Sequence, residues 1–204
     1  MKSIETIMRT APVIPVLVIE DAAYAQRIAQ ALVAGGLRVL EVTLRTAAAL
    51  DVIREMKKVD GAIVGAGTVL NEADLRASID AGAEFIVSPG LTEPLGKAAV
   101  ASGIPFLPGT ANAGDIMRGF DLGLTHFKFF PAEASGGIAA LKAIASPFGM
   151  AKFCPTGGIS LSTAPDWLAV EPVLCVCGSW VVGKGAPDIV AIEAAAAEAA
   201  RLGR

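Results

Sequence analysis

The stretch FKFFPAEASGG, residues 127–137, sets a lysine inside a run of three phenylalanines and closes on paired glycines. An ammonium in an apolar strand is costly unless it is paired, reaches solvent or gives up its charge. Strand side chains alternate between faces, so Phe127 and Phe129 share one face while His126, Lys128 and Phe130 share the other. The two phenylalanines are then placed to pack outward against helices, which leaves Lys128 on an interior face.

On either side of this stretch, extended apolar runs alternate with alanine-rich amphipathic segments, without a composition shift or long linker. Candidate strands are residues 13–19, 39–44, 62–68, 85–88, 105–108, 126–130, 152–156 and 173–178. Between them lie helix patterns such as DAAYAQRIAQALVAGG, which opens at an N-cap-like Asp21 and ends in a glycine stop. Eight strands alternating with helices point to an α/β chain with a parallel sheet, and eight is the number that closes a (β/α)8 TIM barrel. The expected organisation is one barrel domain over residues 1–204, with Ile4, Ile7 and Met8 at helical spacing in a short N-terminal helix covering the barrel bottom. An open doubly wound sheet would show a glycine-rich dinucleotide fingerprint after its first strand, where this chain runs into Glu20 and Asp21.

Composition narrows the function classes. With 53% hydrophobic and 18% charged residues, disorder is excluded as the dominant state. A net charge of −3 with no basic cluster argues against nucleic acid or an anionic membrane as partner. The early Glu5, together with Pro12 and Pro15 breaking the first apolar run, argues against a signal peptide or membrane span, so a cytoplasmic location is expected. Cys154, Cys175 and Cys177 sit in strand-like apolar runs and read as small buried hydrophobes. The single histidine, His126, reads as a packed residue toward the barrel bottom, and no metal-ligand spacing is present.

Parity places further polar groups. In VLEVTLRT, residues 39–46, Leu40, Val42 and Leu44 share one face while Val39, Glu41, Thr43 and Arg45 share the interior that holds Lys128. Val64, Ala66 and Thr68 align in the third strand, and Lys152, Cys154 and Thr156 in the seventh, both series ending in a hydroxyl. Polar groups thus gather at C-terminal strand ends, where barrel enzymes place their active sites. A snorkelling lysine or a buried Lys128–Glu41 ion pair would equally satisfy Lys128 taken alone. Two glycine-rich loops, PTGGIS (155–160) and CGSW (177–180), follow strands seven and eight, the usual place of a barrel phosphate site, so Gly157, Gly158, Gly178 and Ser179 are candidate ligands; simple turn chemistry is the alternative.

Taken in order and spacing, EVTLRT, IVGAGTVL, SPGLTEP, FKFFPAEASGG, FCPTGGIS and CGSW resemble the class I 2-keto-3-deoxy-6-phosphogluconate (KDPG) and 4-hydroxy-2-oxoglutarate (KHG) aldolases over nearly the whole chain. The resemblance implies a (β/α)8 homotrimer of the Entner–Doudoroff pathway, a metal-independent lyase without a cofactor, acting on a phosphorylated keto acid and pyruvate. It matches Lys128 to the Schiff-base lysine and Glu41 to the acid/base carboxylate. Arg45 and Thr68 match the groups that hold the pyruvate-derived end, Pro89 lines the pocket, Thr156 contacts substrate, and Gly157, Gly158, Gly178 and Ser179 form the phosphate loops. An amine in an apolar barrel beside Arg45 is expected to have a depressed pKa, leaving free amine near neutrality. Residues 109–115 depart from the hydroxylated, glutamate-bearing pattern of relatives, which bears on loop contacts. A phosphosugar isomerase or epimerase on the same barrel and a non-catalytic phosphosugar-binding protein are the other readings; neither predicts a covalent adduct.

Overall fold

The computed structural model describes residues 2–183 and 185–203. Helix α1 (Ile4–Met8) leads into β1 (Val13–Leu17), α2 (Ala25–Ala34), β2 (Val39–Thr43), α3 (Ala49–Met56), β3 (Ile63–Gly67), α4 (Glu72–Asp80) and β4 (Ile86–Val87). The alternation continues through α5 (Glu93–Ser102), β5 (Phe106–Leu107), β6 (Gly109–Thr110), α6 (Ala113–Asp121), β7 (His126–Phe129), α7 (Gly137–Ala145), β8 (Lys152–Pro155), α8 (Ala164–Leu168), β9 (Val176–Gly178) and α9 (Ile189–Ala200). Every strand pairing is parallel. The strands form a six-stranded sheet in the order β5-β4-β3-β2-β1-β9 and a three-stranded sheet in the order β6-β7-β8. This is an α/β fold on curled parallel sheets.

The expected strand at residues 105–108 is divided. Pro108 carries no N–H and cannot donate to a ladder, so β5 pairs with β4 before it and β6 pairs with β7 after it. Isolated parallel bridges Phe153↔Val173 and Thr156↔Cys177 join β8 to the segment containing β9. The expected N-cap at Asp21 caps a short 3-10 turn, Ala22–Tyr24, whose Ala23 N–H it accepts at 2.8 Å, and α2 follows directly.

Apolar burial falls into two layers, and parity assigns most of their members. Phe127, Phe129, Leu40 and Val42 lie in the outer layer with helix residues such as Leu141 and Trp167. Phe129 meets Trp167 at a ring-centroid distance of 6.3 Å. The inner layer joins Ile14, Val39, Ile63, Phe85, Val87, Leu107 and the three cysteines to Ile7 and Met8 of α1. The N-terminal helix therefore buries its apolar side on the inner face of the strands, as its spacing predicts, and each such buried side chain contributes about 1.5–3 kcal/mol.

The third strand departs from expectation. Val64 and Ala66 belong to the outer layer, whereas Ile63 faces inward. Gly65 and Gly67 share the inward parity, with Phe85 filling the space over Gly65. Thr68 thus shares the parity of outward residues and does not continue an inward row. It leaves the strand at φ +59, the only positive φ of a non-glycine among the described residues.

Candidate active site

The lysine among phenylalanines is paired. Lys128 is 6% exposed and Glu41 is completely buried. Lys128 Nζ donates to Glu41 Oε1 at 3.1 Å, and lies 5.6 Å from the centroid of the Phe130 ring. Both side chains occupy middle positions of central strands: Glu41 lies in register between Val16 of β1 and Gly65 of β3, and Lys128 between Gly109 of β6 and Cys154 of β8.

The expected depression of the lysine pKa is corrected by this pairing. Burial alone pushes the Lys128 amine down, but the Glu41 charge and hydrogen bond outweigh it and hold the amine above the ordinary lysine value. Arg45 is not the controlling neighbour. Its exposed side chain turns to the strand end, where Nε donates to Thr43 Oγ1 at 3.1 Å. The buried Thr43 hydroxyl is itself oriented, because it donates to the Leu17 carbonyl at 2.8 Å.

Glycine at position 67 is required by the carboxylate. A Cβ there would overlap Oε1, Cγ and Cδ of Glu41. Gly67→Ala is expected to push the Glu41 head group away from Lys128 and to cost about 1–3 kcal/mol of stability as an overpacked core does. Urea unfolding reads this directly, and an unchanged midpoint with an unchanged m-value would mean that the carboxylate moves aside freely.

The remaining candidates are spread around the same strand ends. Thr68 and Pro89 are half-buried, Thr156 is buried, and Ser179 is exposed. Pro89 packs its backbone against Gly109, the residue in register with Lys128, so closely that no Cβ fits at 109. The Thr156↔Cys177 bridge sets the loop at Gly157 and Gly158 beside the loop at Gly178 and Ser179. Gly157 and Gly158 adopt φ +105 and +82, and a Cβ at 158 would meet the Glu133 side chain. Glu133 is held in place by Trp167, whose Nε1 donates to it at 3.0 Å. At Gly178 the Trp180 indole takes the Cβ space. No side-chain hydrogen bond links Arg45, Thr68 or Pro89 to the Lys128–Glu41 pair among the described residues.

Sequence reading passed over three residues that build the centre. Thr43 lies on the face that parity assigns inward, and only its bond to Arg45 reveals its use. Gly67 and Cys177 carried no local signal, since their partner Glu41 is far away in sequence. The cysteines are free and buried, as expected of small apolar residues. His126 is half-buried at the α1 end of the sheet, 3.0 Å from Thr125 Oγ1 and 4.0 Å from Glu5, and burial lowers its pKa. The departing segment 109–115 runs from strand β6 into the start of α6: Asn112 accepts from the Asp115 N–H, and Asp115 accepts from the Ala111 N–H. The same arrangement opens α4 at Asn71 and Asp74. Among the described residues no group of three or more His, Cys, Asp or Glu side chains is placed to hold a metal ion. No helix among them is long and apolar enough to cross a membrane.

A buried amine bonded to a buried carboxylate on the inner face of a parallel α/β sheet is an arrangement suited to imine formation and proton transfer. The chain matches the KDPG and KHG aldolase family over residues 4–195 and belongs to it. The 2-dehydro-3-deoxy-phosphogluconate aldolase of Zymomonas mobilis is 59% identical over 204 residues, covering 100% of this chain and 98% of that one. A crystal structure of the enzyme from the same species, strain ATCC 29191, matches with a TM-score of 0.98 at 59% identity, covering 100% of this chain and 98% of that one. The KHG/KDPG aldolase of Escherichia coli K12 is 56% identical over 181 residues, covering 88% of this chain and 85% of that one. The KDPG aldolase of Legionella pneumophila, solved with pyruvate captured as a covalent carbinolamine intermediate, matches with a TM-score of 0.93 at 40% identity, covering 98% of both chains.

Proposed function

We propose that the chain is a class I aldolase that cleaves 2-dehydro-3-deoxy-6-phosphogluconate to pyruvate and glyceraldehyde 3-phosphate, with Lys128 as the Schiff-base nucleophile and Glu41 as the acid/base. The observation that carries this reading is the buried Lys128–Glu41 hydrogen bond of 3.1 Å. An ammonium is no nucleophile, and the amine of Lys128 is held up rather than down in pKa. The pair supplies the missing step: one proton passes from Nζ to Oε1 along the existing bond. Exclusion of water on substrate entry favours that transfer, because a dry site supports a neutral amine and acid better than two charges.

The amine lone pair then attacks C2 of the keto acid, and Glu41 returns its proton to the departing hydroxyl as the carbinolamine loses water. The iminium is an electron sink. Glu41, again a carboxylate, removes the C4 hydroxyl proton while the C3–C4 electrons move into the iminium. Glyceraldehyde 3-phosphate leaves, the enamine takes a proton at C3, and hydrolysis frees pyruvate and the amine. The imine does the electronic work, so the cycle runs without metal or cofactor. Arg45 and Thr68 hold the carboxylate end, Arg45 through a two-pronged contact, with Pro89 and Thr156 against the substrate. Gly157, Gly158, Gly178 and Ser179 offer backbone N–H groups to the phosphate, whose binding orients the C3–C4 bond.

The test is borohydride reduction in the presence of pyruvate, followed by peptide mass spectrometry. A gain of about 72 Da on the peptide containing Lys128 is expected for a reduced pyruvate imine. Folded protein with no adduct in excess pyruvate would sink the aldolase reading and favour an isomerase, an epimerase or a binding protein. Cleavage of 4-hydroxy-2-oxoglutarate to pyruvate and glyoxylate is a second activity of the same site, favoured by the double name of the Escherichia coli relative.

The same reading takes the nine strand segments as one closed (β/α)8 domain over residues 1–204. The two bridges between β8 and the β9 segment, and the Pro108 interruption that makes β5 and β6 halves of one strand, support it. On the family resemblance we infer a cytoplasmic homotrimer of the Entner–Doudoroff pathway.

A further inference from the structure

The Glu41 carboxylate has two oxygens, and the mechanism uses only one of them explicitly. Oε1 accepts from Lys128, while Oε2 faces the Cys177 thiol, Sγ to Oε2 3.6 Å. That thiol is the one hydrogen-bond donor recorded to Oε2 among the described residues. Cys177 is 1% exposed, and a second buried thiol, Cys154, lies with its sulfur 3.1 Å from that of Cys177. The proton inventory fixes the direction of this chain. An ionised carboxylate accepts only, so Cys177 spends its single S–H on Glu41, which leaves the Cys177 sulfur as the acceptor in its contact with Cys154.

We infer that Cys177 is a positioning residue for the aldolase reaction, holding Oε2 of Glu41 so that Oε1 stays aimed at Lys128 and at the reacting atoms, with Cys154 orienting the Cys177 thiol from behind. The inference rests on the aldolase reading of Lys128 and Glu41. Three constraints then surround the carboxylate: the amine in front, the Gly67 backbone against its side, and the thiol at its far oxygen. Both thiols are held in the protonated form: burial and the neighbouring Cys175 push Cys154 well above the ordinary cysteine range, and the contact with Cys154 together with burial does the same for Cys177. A proton-bearing sulfur at this depth is a fixed donor and not a competing nucleophile.

The donor also sets how readily Glu41 takes a proton. A hydrogen bond to the charged form favours that form, so losing the thiol makes the carboxylate easier to protonate. The groups that face Glu41 or its thiol support are Lys128 from β7, Cys154 from β8, and Cys175 just before β9; Arg45 stands at the end of β2. None of these changes when Cys177 alone is replaced.

The experiment compares Cys177→Ser, Cys177→Ala and Cys177→Val with the wild type in kcat, KM and the pH profile of cleavage, with pyruvate–borohydride labelling of Lys128 run on each. Serine keeps a donor and is expected within about 3-fold of wild-type kcat, whereas alanine and valine are expected to lose about 10-fold or more in kcat with little change in KM. Their acid limb should move to higher pH. Wild-type kcat and an unmoved acid limb in the alanine and valine variants would overturn the inference, as would an equal fall in all three, which would mark a packing role. Should the truncated variants not fold, the S–H stretching band of the wild type and of Glu41→Gln decides. A band lowered in the wild type that shifts in Glu41→Gln upholds the bond, and identical spectra overturn it. Absence of labelling in the wild type itself would instead overturn the aldolase reading.

Discussion

Lys128→Met is expected to lose pyruvate labelling completely and to lower kcat by at least about 10,000-fold, because removing the proposed nucleophile removes every step that passes through the imine. Methionine matches the length of the lysine stem and avoids a large cavity. What the variant cannot match is the charge. Breaking a buried pair by removing one partner costs about 3–5 kcal/mol when the other stays ionised. Glu41, completely buried, escapes part of that cost by taking a proton. The stability deficit of Lys128→Met relative to the wild type should therefore be largest at neutral pH and shrink in acid. Residual cleavage above about one per cent of wild type, with substrate excess and no contaminating enzyme, would show that another group carries the chemistry.

The second large effect separates the two partners. Glu41→Gln is expected to bind substrate nearly as well as the wild type while losing about 100- to 10,000-fold in kcat, the range of a general acid–base group. Removing the carboxylate charge takes away what holds the Lys128 amine up, and burial is left to push it down. The free amine is then more abundant in the variant, so the pyruvate adduct should still form, although its dehydration is slow. A variant that labels and does not turn over is the signature of a missing proton shuttle. Near-normal turnover would remove Glu41 from the mechanism, and failure to bind substrate would assign it to the pocket wall instead.

The contrast between these variants follows from how the pair is built. Burial by itself lowers an amine, and that much follows from FKFF alone. The sign reverses because Glu41, 87 positions away in the chain, is folded to 3.1 Å. For the proposed aldolase chemistry such a pair is more useful than an isolated low-pKa lysine, since a proton removed from the amine is retained next to the atoms that need it. The neutral thiols behind Glu41 fit the same logic: they neither compete for the electrophile nor carry charge that would disturb the pair.

Local pattern carried most of the frame. Period-two alternation in VLEVT and HFKF placed Glu41 and Lys128 inward and Leu40, Val42, Phe127 and Phe129 outward, because pleat geometry leaves a strand residue only two directions. The same rule failed in IVGAG, where apolar side chains do not distinguish inside from outside. There the glycines are the inward residues, chosen because Phe85 and the Glu41 head group fill the room that side chains would need. Strand ends were less legible still. Thr68 leaves its strand in a left-handed conformation, and Pro108 divides a strand that reads as continuous, both for reasons of backbone geometry rather than hydrophobic pattern.

From residue order alone came the α/β alternation, the parity that turns an amine and a carboxylate to a shared interior, the short apolar N-terminal helix and the six ordered blocks of the aldolase family. These are properties of neighbours in the chain, set by strand and helix periods of a few residues. Only the tertiary structure decided the protonation balance of Lys128, the anchoring of Arg45 by Thr43, the space that Gly67 must leave and the thiol that meets the far oxygen of Glu41. Each of these depends on groups brought together from distant strands, and electrostatic and steric energies at 3–4 Å change sign with contacts that no local pattern records.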